Sequence, residues 1–180
     1  MTATVDLRRA GTSPEAVAGH YDLSDDFFHG WLGDELVYSC ARWRPGDTLA
    51  TAQDRKLDWF AERLQVSGAD VLDVGCGWGA LLHRWGTRHG MRSGMGLTLS
   101  ENQVHHARAR NTPGTTVLLQ SWADHRSRRS YDVLTAIEST EHFASDACSS
   151  DTKVDVYREF FESAASWLRP GGRVGLQPNV

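Results

Sequence analysis

The chain has 180 residues, of which 40% are hydrophobic and 23% charged, and its formal net charge is −4. This length corresponds to one domain, and the composition is that of an ordinary globular protein. The acidic balance excludes the basic surface of a nucleic-acid-binding protein. Cys40, Cys76 and Cys148 are odd in number and far apart, so we expect neither a disulfide framework nor a bound metal.

Membrane insertion and secretion are not predicted from the sequence. The longest apolar runs are far shorter than the ~18 residues that a membrane-spanning helix needs. The N-terminal stretch MTATVDLRRAGTSPEAV lacks the apolar core of a signal peptide. We therefore expect a cytoplasmic protein.

The N-terminal part of the chain is predicted to be helical. Residues 1–12 are expected to form a flexible tail. Ser13 followed by Pro14 is typical of a helix start, with serine as the cap and proline in the first turn. This short helix should run towards Tyr21. Ser24 is expected to cap a second helix through DDFFHGWL.

A longer helix is predicted further along the chain. Apolar residues recur at helical spacing from Thr48 and predict a helix to about Gln65. The preceding stretch YSCARWRPGD, 38–47, ends in proline and glycine and is typical of a loop. We assign residues 13–66 to an N-terminal helical lid segment.

From residue 67 onwards, predicted strands and helices alternate. The predicted strands are 71–75, 92–99, 116–120, 131–137 and 173–177. The predicted helices are 78–89, 100–111 with Ser100 as the cap, and 155–168, stopped by RPGG. This alternation predicts βαβ units and a parallel sheet flanked by helices, an α/β domain over residues 67–180. The polar stretch 144–153 is expected to be a flexible loop.

A glycine-rich turn follows the first predicted strand in VLDVGCGWG. Gly75, Gly77 and Gly79 stand at alternate positions, where a ligand could approach the backbone. A nucleotide phosphate would require GxxxxGK[ST], whose lysine is missing, and a dinucleotide would require GxGxxG. S-adenosylmethionine (SAM) has no phosphate and needs only backbone room. A tight turn that serves packing alone remains an alternative.

The surrounding motifs carry a family resemblance. Asp73 precedes the first glycine by two residues, YDVLTAIE follows as the fourth strand, and LRPGGRV leads into the fifth. This order resembles the Rossmann-like class I SAM-dependent methyltransferases. HYDLSDDFFHGWLG, YSCARW, AQDRKLDWF, GLTLSENQ and IESTEHF occur in the order seen in cyclopropane fatty-acid and mycolic-acid cyclopropane synthases. The resemblance extends from His20 to Gln177.

The resemblance implies a set of residues that bind SAM above the glycine turn. Thr98 and Gln103 should hold its ribose or amino-acid end, because the second strand ends without the usual acid. Trp122 should lie on the adenine. The implied contacts are Tyr38, Ser39, Asp73, Gly75, Gly77, Gly79, Thr98, Gln103, Trp122, Ala123 and Asp124. A core aromatic remains the alternative for Trp122, and a solvated helix position remains the alternative for Gln103.

The resemblance also implies methyl transfer to an alkene carbon of an unsaturated acyl lipid or unsaturated metabolite. This chemistry produces a carbocation, which requires a dry site with negative charge nearby. Glu141 fits that role. Related enzymes hold a bicarbonate ion as base, and its ligands map to Cys40, the backbone of Ile137, and Glu141. The product would be a cyclopropane, a methyl branch or a methylene group.

Two departures from the family pattern are visible. Gln177 stands where the family has histidine; glutamine can donate a hydrogen bond to an anion but cannot carry a proton, which weakens the bicarbonate assignment. The family also continues beyond the fifth strand with helices and two more strands, so we expect the sheet to be incomplete at Val180. Glu138 and His142 are expected to be helix-cap or surface residues. For His142, a position near the pocket is the alternative.

Alternative functions stay open at this point. A C- or N-methyltransferase of secondary metabolism would need no bicarbonate, and Gln177 would suit it. A non-catalytic SAM-binding or interaction module is disfavoured by the retained Tyr38, Cys40 and Glu141. The basic run HRSRR, 125–129, is expected to be a solvated loop, with contact to an anionic headgroup at a membrane surface as the alternative. A homo-oligomer is also left open.

Overall fold

The computed structural model describes residues 25–127, 130–145 and 147–179. Its sheet has five parallel strands in the order β3-β2-β1-β4-β5. The strands are β1 Asp70–Val74, β2 Ser93–Thr98, β3 Thr115–Leu119, β4 Tyr131–Ile137 and β5 Leu168–Gln177. The predicted α/β class and each of the five predicted strands are therefore confirmed.

Helices cover both faces of this sheet. They are α1 Asp25–Leu32, α2 Leu49–Leu64, α3 Ala80–Arg88, α4 Glu101–Ala109 and α5 Ser150–Trp167. Thr48 caps α2 through a capping box, and the Ser100 side chain caps α4 as predicted. Within the described ranges, no helix is long and apolar enough to cross a membrane.

Several predictions lie outside the described residues. They concern the tail 1–12, the helix from Ser13 to Tyr21, the cap at Ser24 and the arginines of the run 125–129 at positions 128 and 129. The loop predicted over 38–47 has no helix or strand, in agreement with its proline and glycine.

Two boundaries near the C-terminus were wrong. Helix α5 begins at Ser150, within the stretch predicted as a loop over 144–153, because Ser149 accepts a hydrogen bond from the Thr152 N–H at 3.2 Å and Asp151 lies in the first turn. RPGG does not form a separate turn after the helix but lies inside β5. Pro170 is accommodated there because the pairing of β5 with β4 is interrupted between Leu168 and Arg173, so its missing N–H breaks no bond of the ladder.

Alternate side chains of the central strands build two cores. Leu72 and Leu134 pack on the face that α5 covers, together with Phe160. Val71 and Val133 point to the other face, against α2 and α3. The indole N–H of Trp85 donates to the Leu57 carbonyl at 2.9 Å and ties these two helices together. Burial on both faces explains the nearly continuous apolar runs of the strands.

An ion-pair network joins the strands at the edge opposite the glycine turn. Arg92 donates from Nε and Nη2 to the two carboxylate oxygens of Asp70, at 2.8 and 2.6 Å. Arg169 bridges Asp70 and Asp132, and the Asp70 N–H donates to Asp132 at 2.8 Å. The hydrogen bonds from Arg92 hold the pKa of Asp70 well below its ordinary value. The network therefore pins the N-terminal ends of β1, β4 and β5.

Asp70→Asn should make stability less sensitive to acid. The folded-state pKa of Asp70 lies below its unfolded-state value of about 3.9, so its contribution is present above that pH and is lost as the pH falls towards the folded-state pKa. We expect the free energy of unfolding, measured in urea at a series of pH values below about 4, to fall less steeply than in the wild type. Asp155→Asn, which removes an exposed partner of Arg158, is the control and should keep the wild-type slope. If the free energy of unfolding of Asp70→Asn fell with decreasing pH as steeply as that of the wild type, the lowered pKa of Asp70 would be contradicted.

Candidate functional site

A cavity of about 710 Å³ opens at the carboxyl edge of the sheet. The turns that follow β1, β2, β3 and β4 all contribute to its wall, as do the loop 36–39 and helix α2. Ligands of parallel α/β sheets bind at this edge, where the strands' carboxyl ends meet. Most of the predicted cofactor and acceptor residues line this cavity, whereas Gly79, Ala123, Cys40 and Gln177 are not part of its wall.

The three glycines of the turn after β1 serve two different purposes. Gly75 and Gly79 have φ values of +78° and +80°, and neither position has room for a Cβ. A Cβ on Gly75 would lie 2.9 Å from the Ser139 Oγ, and a Cβ on Gly79 would lie 2.9 Å from the Ala107 Cβ. Gly77, at φ +53°, has no atom within 4 Å of a Cβ placed there. Packing thus requires glycine at positions 75 and 79. Gly75 and Gly77 both line the cavity, and Gly77 faces open space there.

Asp73 lies at the bottom of the cavity and is only 3% exposed. Its Oδ1 accepts a hydrogen bond from the Thr135 hydroxyl at 2.7 Å. Burial raises the pKa of Asp73 to about 6, and the Thr135 hydrogen bond and the charge of Lys56 oppose this shift. Asp73 is therefore a buried carboxylate whose charge depends on its neighbours.

Lys56 is a wall residue that sequence reasoning missed. Its side chain is 1% exposed, and its Nζ donates to the Ser39 hydroxyl. Burial lowers the pKa of Lys56 to about 8, whereas the charges of Glu138, Cys40 and Asp73 act in the opposite direction. The signal was present in AQDRKLDWF, where Lys56 shares the buried face of α2 with Leu57 and Phe60.

Helix α2 also fixes the loop that carries Tyr38 and Ser39. The buried amide of Gln53 donates to the carbonyls of Val37 and Ser39, at 3.2 and 2.6 Å. Tyr38 is 40% exposed and packs edge-on against Trp31. Both Tyr38 and Ser39 line the cavity.

The turn after β2 presents a pre-formed polar pair. The Thr98 hydroxyl donates to Gln103 Oε1 at 2.5 Å and accepts from the Ser100 N–H at 3.3 Å. Gln103 is 4% exposed, so the alternative of a solvated helix position is wrong. Thr98 and Gln103 both line the cavity.

Trp122 combines a core position with a cavity position. It is 8% exposed and its ring packs against Phe143 and Phe160, with centroid distances of 5.2 and 5.3 Å, and it also lines the cavity. Asp124, in the same 3-10 helix Trp122–Asp124, lines the cavity too. The backbone of Ala123 is instead bonded within the loop, since its N–H donates to the Ser121 Oγ and its carbonyl accepts from Arg126.

Glu138 is the second residue that sequence reasoning left without a role. It follows β4 directly, lines the cavity and has a left-handed backbone with φ +47°. Its Oε1 accepts from the Cys40 N–H at 2.8 Å and from Gln177 Nε2 at 2.6 Å. A hydrogen bond to Glu138 raises the pKa of the Cys40 thiol. Glu138, rather than Glu141, therefore contacts Cys40 and Gln177.

Glu141 lies one turn further, in the 3-10 helix Thr140–His142. It lines the cavity together with Ile137 and His142, and its Oε1 accepts from the Asn179 N–H at 3.3 Å. The residues predicted to surround the methyl acceptor thus fall into two groups. Ile137 and Glu141 face the cavity directly, whereas Cys40 and Gln177 contact its lining residue Glu138.

Comparison with known proteins relates this chain to one family. Residues 9–179 match the family described as mycolic acid cyclopropane synthetase. Hydroxymycolate synthase MmaA4 of Mycobacterium tuberculosis is 34% identical over 175 residues, which cover 92% of this chain and 54% of that protein.

Solved structures of methyltransferases share the fold. Mycolic acid cyclopropane synthase CmaA1, complexed with SAH and CTAB, has a TM-score of 0.79 and 34% identity, with 92% of this chain and 56% of that chain covered. Coclaurine N-methyltransferase, bound to N-methylheliamine and SAH, has a TM-score of 0.74 and 26% identity, with 85% and 44% covered. The chain therefore spans about half the length of the proteins that it matches.

Alanine substitutions should separate the packing glycine Gly75 from the open glycine Gly77. In both variants a side chain must adopt a left-handed backbone, which costs about 1–2 kcal/mol. Gly75→Ala additionally drives its Cβ into Ser139, so its free energy of unfolding should fall further than that of Gly77→Ala. Urea denaturation measures both values. Equal stability of the two variants would contradict the different packing of these glycines.

Proposed function

We propose a function for a chain that belongs to the mycolic acid cyclopropane synthetase family: it is a SAM-dependent methyltransferase that methylates an alkene carbon of an unsaturated acyl lipid or unsaturated metabolite. The observation that carries the proposal is the single cavity in which the open Gly77, the polar pair Thr98–Gln103 and the carboxylates of Glu138 and Glu141 meet. Cofactor-side and acceptor-side chemistry would then be adjacent.

The residues of the cavity fit SAM. Gly77 leaves room for a ligand to approach the backbone, and the Thr98–Gln103 pair offers hydroxyl and amide groups at the same edge. The wall carries several carboxylates, which suits a ligand with a cationic sulfur. When bound, SAM supplies an electrophilic methyl group. The residues that would hold it are Tyr38, Ser39, Asp73, Gly77, Thr98, Gln103, Trp122 and Asp124.

The acceptor side supports an alkene substrate. An alkene carbon that accepts a methyl group leaves its neighbour cationic, and the Glu141 carboxylate would face that charge. Such stabilisation is worth more in a water-excluded cavity than in water. Leu36, Val37, Trp78 and Phe143 give the wall apolar surface suited to an acyl chain or a similar group. The names of related proteins, which are mycolic acid synthases, agree with this substrate class.

An amine is the second candidate acceptor, and one observation favours it. Glu138 and Glu141 place two carboxylates on one side of the cavity, where they would attract a basic nitrogen. The similarity to coclaurine N-methyltransferase agrees with this candidate. An amine carries its own lone pair, so its methylation needs no carbocation stabiliser.

Gly77→Val should abolish SAM binding. The branched side chain would project into the open space at the cavity, which a bound ligand would need. Gly68→Val is the matched control, because Gly68 also has a positive φ of +72° and nothing within 4 Å but lies outside the cavity wall. Calorimetric titration with SAM measures both. Equal SAM affinity in the two variants would remove the assignment of this turn to the cofactor.

Methyl transfer from isotope-labelled SAM tests the acceptor class. We expect label in unsaturated phospholipid or unsaturated fatty acyl substrates, and none in their saturated counterparts, because the methyl group needs the alkene electrons. Tertiary amines of similar size are offered in parallel. Label in the amines alone would overturn the alkene proposal in favour of the second candidate. SAM binding without label in any acceptor would favour a binding module.

A further inference from the structure

The family resemblance implies an anion site whose ligands include Cys40 and Glu141, with Gln177 in place of a histidine. Two donors of that site are already engaged in this chain. The Cys40 N–H and the Gln177 side-chain amide both donate to the same oxygen, Glu138 Oε1, at 2.8 and 2.6 Å. The position that a bound anion would take is therefore filled by a side chain.

The backbone is built to put the Glu138 carboxylate in this position. Ile137 pairs with Gln177 across β4 and β5, and the Glu138 N–H donates to the Gln177 carbonyl at 2.6 Å. The left-handed conformation of Glu138, at φ +47°, then turns the chain as it leaves the strand. Left-handed residues other than glycine are uncommon and concentrate at functional sites.

The charges around Glu138 also disagree with a bound bicarbonate. A second anion beside its carboxylate would be repelled, while the nearby positive charge of Lys56 is already shared by Glu138 and Asp73. Gln177 can donate to an anion but cannot take up its proton. The residues present here therefore do not fit bicarbonate, contrary to what the resemblance implies.

We propose that the Glu138 carboxylate replaces bicarbonate in this protein and serves as its built-in proton acceptor, an inference that rests on the proposed methyl transfer. In the proton step, the new O–H bond forms on Glu138 as a C–H bond of the methylated, cationic acceptor breaks. The electron pair of that C–H bond stays on the acceptor and closes the ring or forms a double bond. Glu138 then returns the proton to solvent.

Binding of isotope-labelled bicarbonate, followed by NMR line broadening, tests the replacement without any turnover. The wild type should not bind the ion. Glu138→Gly should bind it, because the variant vacates the position, frees the Cys40 and Gln177 donors, and suits the left-handed backbone. Asn111→Gly is the matched control, since Asn111 is left-handed at φ +48° but exposed and outside the cavity wall, and it should behave like the wild type. Bicarbonate binding by the wild type as strong as that of Glu138→Gly would overturn the proposal.

The reactivity of Cys40 provides a second readout that is independent of SAM. Glu138 raises the pKa of this exposed thiol, whereas Lys56 acts in the opposite direction. Glu138→Gln should therefore make Cys40 react faster with iodoacetamide at fixed pH, as followed by peptide mass spectrometry. Cys76 is buried and serves as the internal control. An unchanged Cys40 rate would show that Glu138 does not contact this group.

Enzyme turnover of the wild type and of the Glu138 variants is the third measurement. Glu138→Gln keeps the shape but loses the proton acceptor, so turnover should fall by at least about 10²-fold. Added bicarbonate should restore part of the activity of Glu138→Gly and none of that of Glu138→Gln. Wild-type turnover that depends on bicarbonate would overturn the proposal. If no acceptor is methylated at all, the methyltransferase proposal fails, while the bicarbonate and Cys40 measurements still decide the role of Glu138.

Discussion

Lys56 is buried in the cavity wall, where the residue is 1% exposed. Its Nζ donates to the Ser39 hydroxyl, and its charge interacts with the carboxylates of Asp73 in β1 and of Glu138 directly after β4. A buried charge is tolerated only when it is paired and hydrogen-bonded. Lys56 thus offsets two carboxylates at once, one in β1 and one directly after β4.

Strain at the carboxyl edge of the sheet is offset by hydrogen bonds to charged groups. A left-handed residue such as Glu138 costs about 1–3 kcal/mol. Each hydrogen bond to a charged group contributes about 1.5–3 kcal/mol, and the Glu138 carboxylate accepts two of them. The conformation can therefore persist because both bonds form together. Loss of Gln177 or of the Cys40 loop would release the side chain from its position.

Local sequence patterns predicted the sheet but not the contacts of its edge. The strands and the Ser100 cap could be predicted because each depends on a sequence motif of only a few residues, such as VLDVG or SENQ. The start of α5 was missed because Ser149 and Asp151 lie in a polar stretch that also suits a loop. The contacts of Glu138 could not be predicted from local patterns, because its partners Cys40 and Gln177 lie 98 and 39 residues away.

A proton acceptor that belongs to the chain differs from a bound ion in one physical respect. The ion must be captured from solution and held, whereas a carboxylate fixed by Cys40 and Gln177 is always present at the site and its ordering is completed on folding. With Glu138 as the proposed proton acceptor, a glutamine suffices at the position where the family resemblance implies a proton-carrying histidine. In that proposal Gln177 has only to orient the carboxylate, to which its amide donates at 2.6 Å.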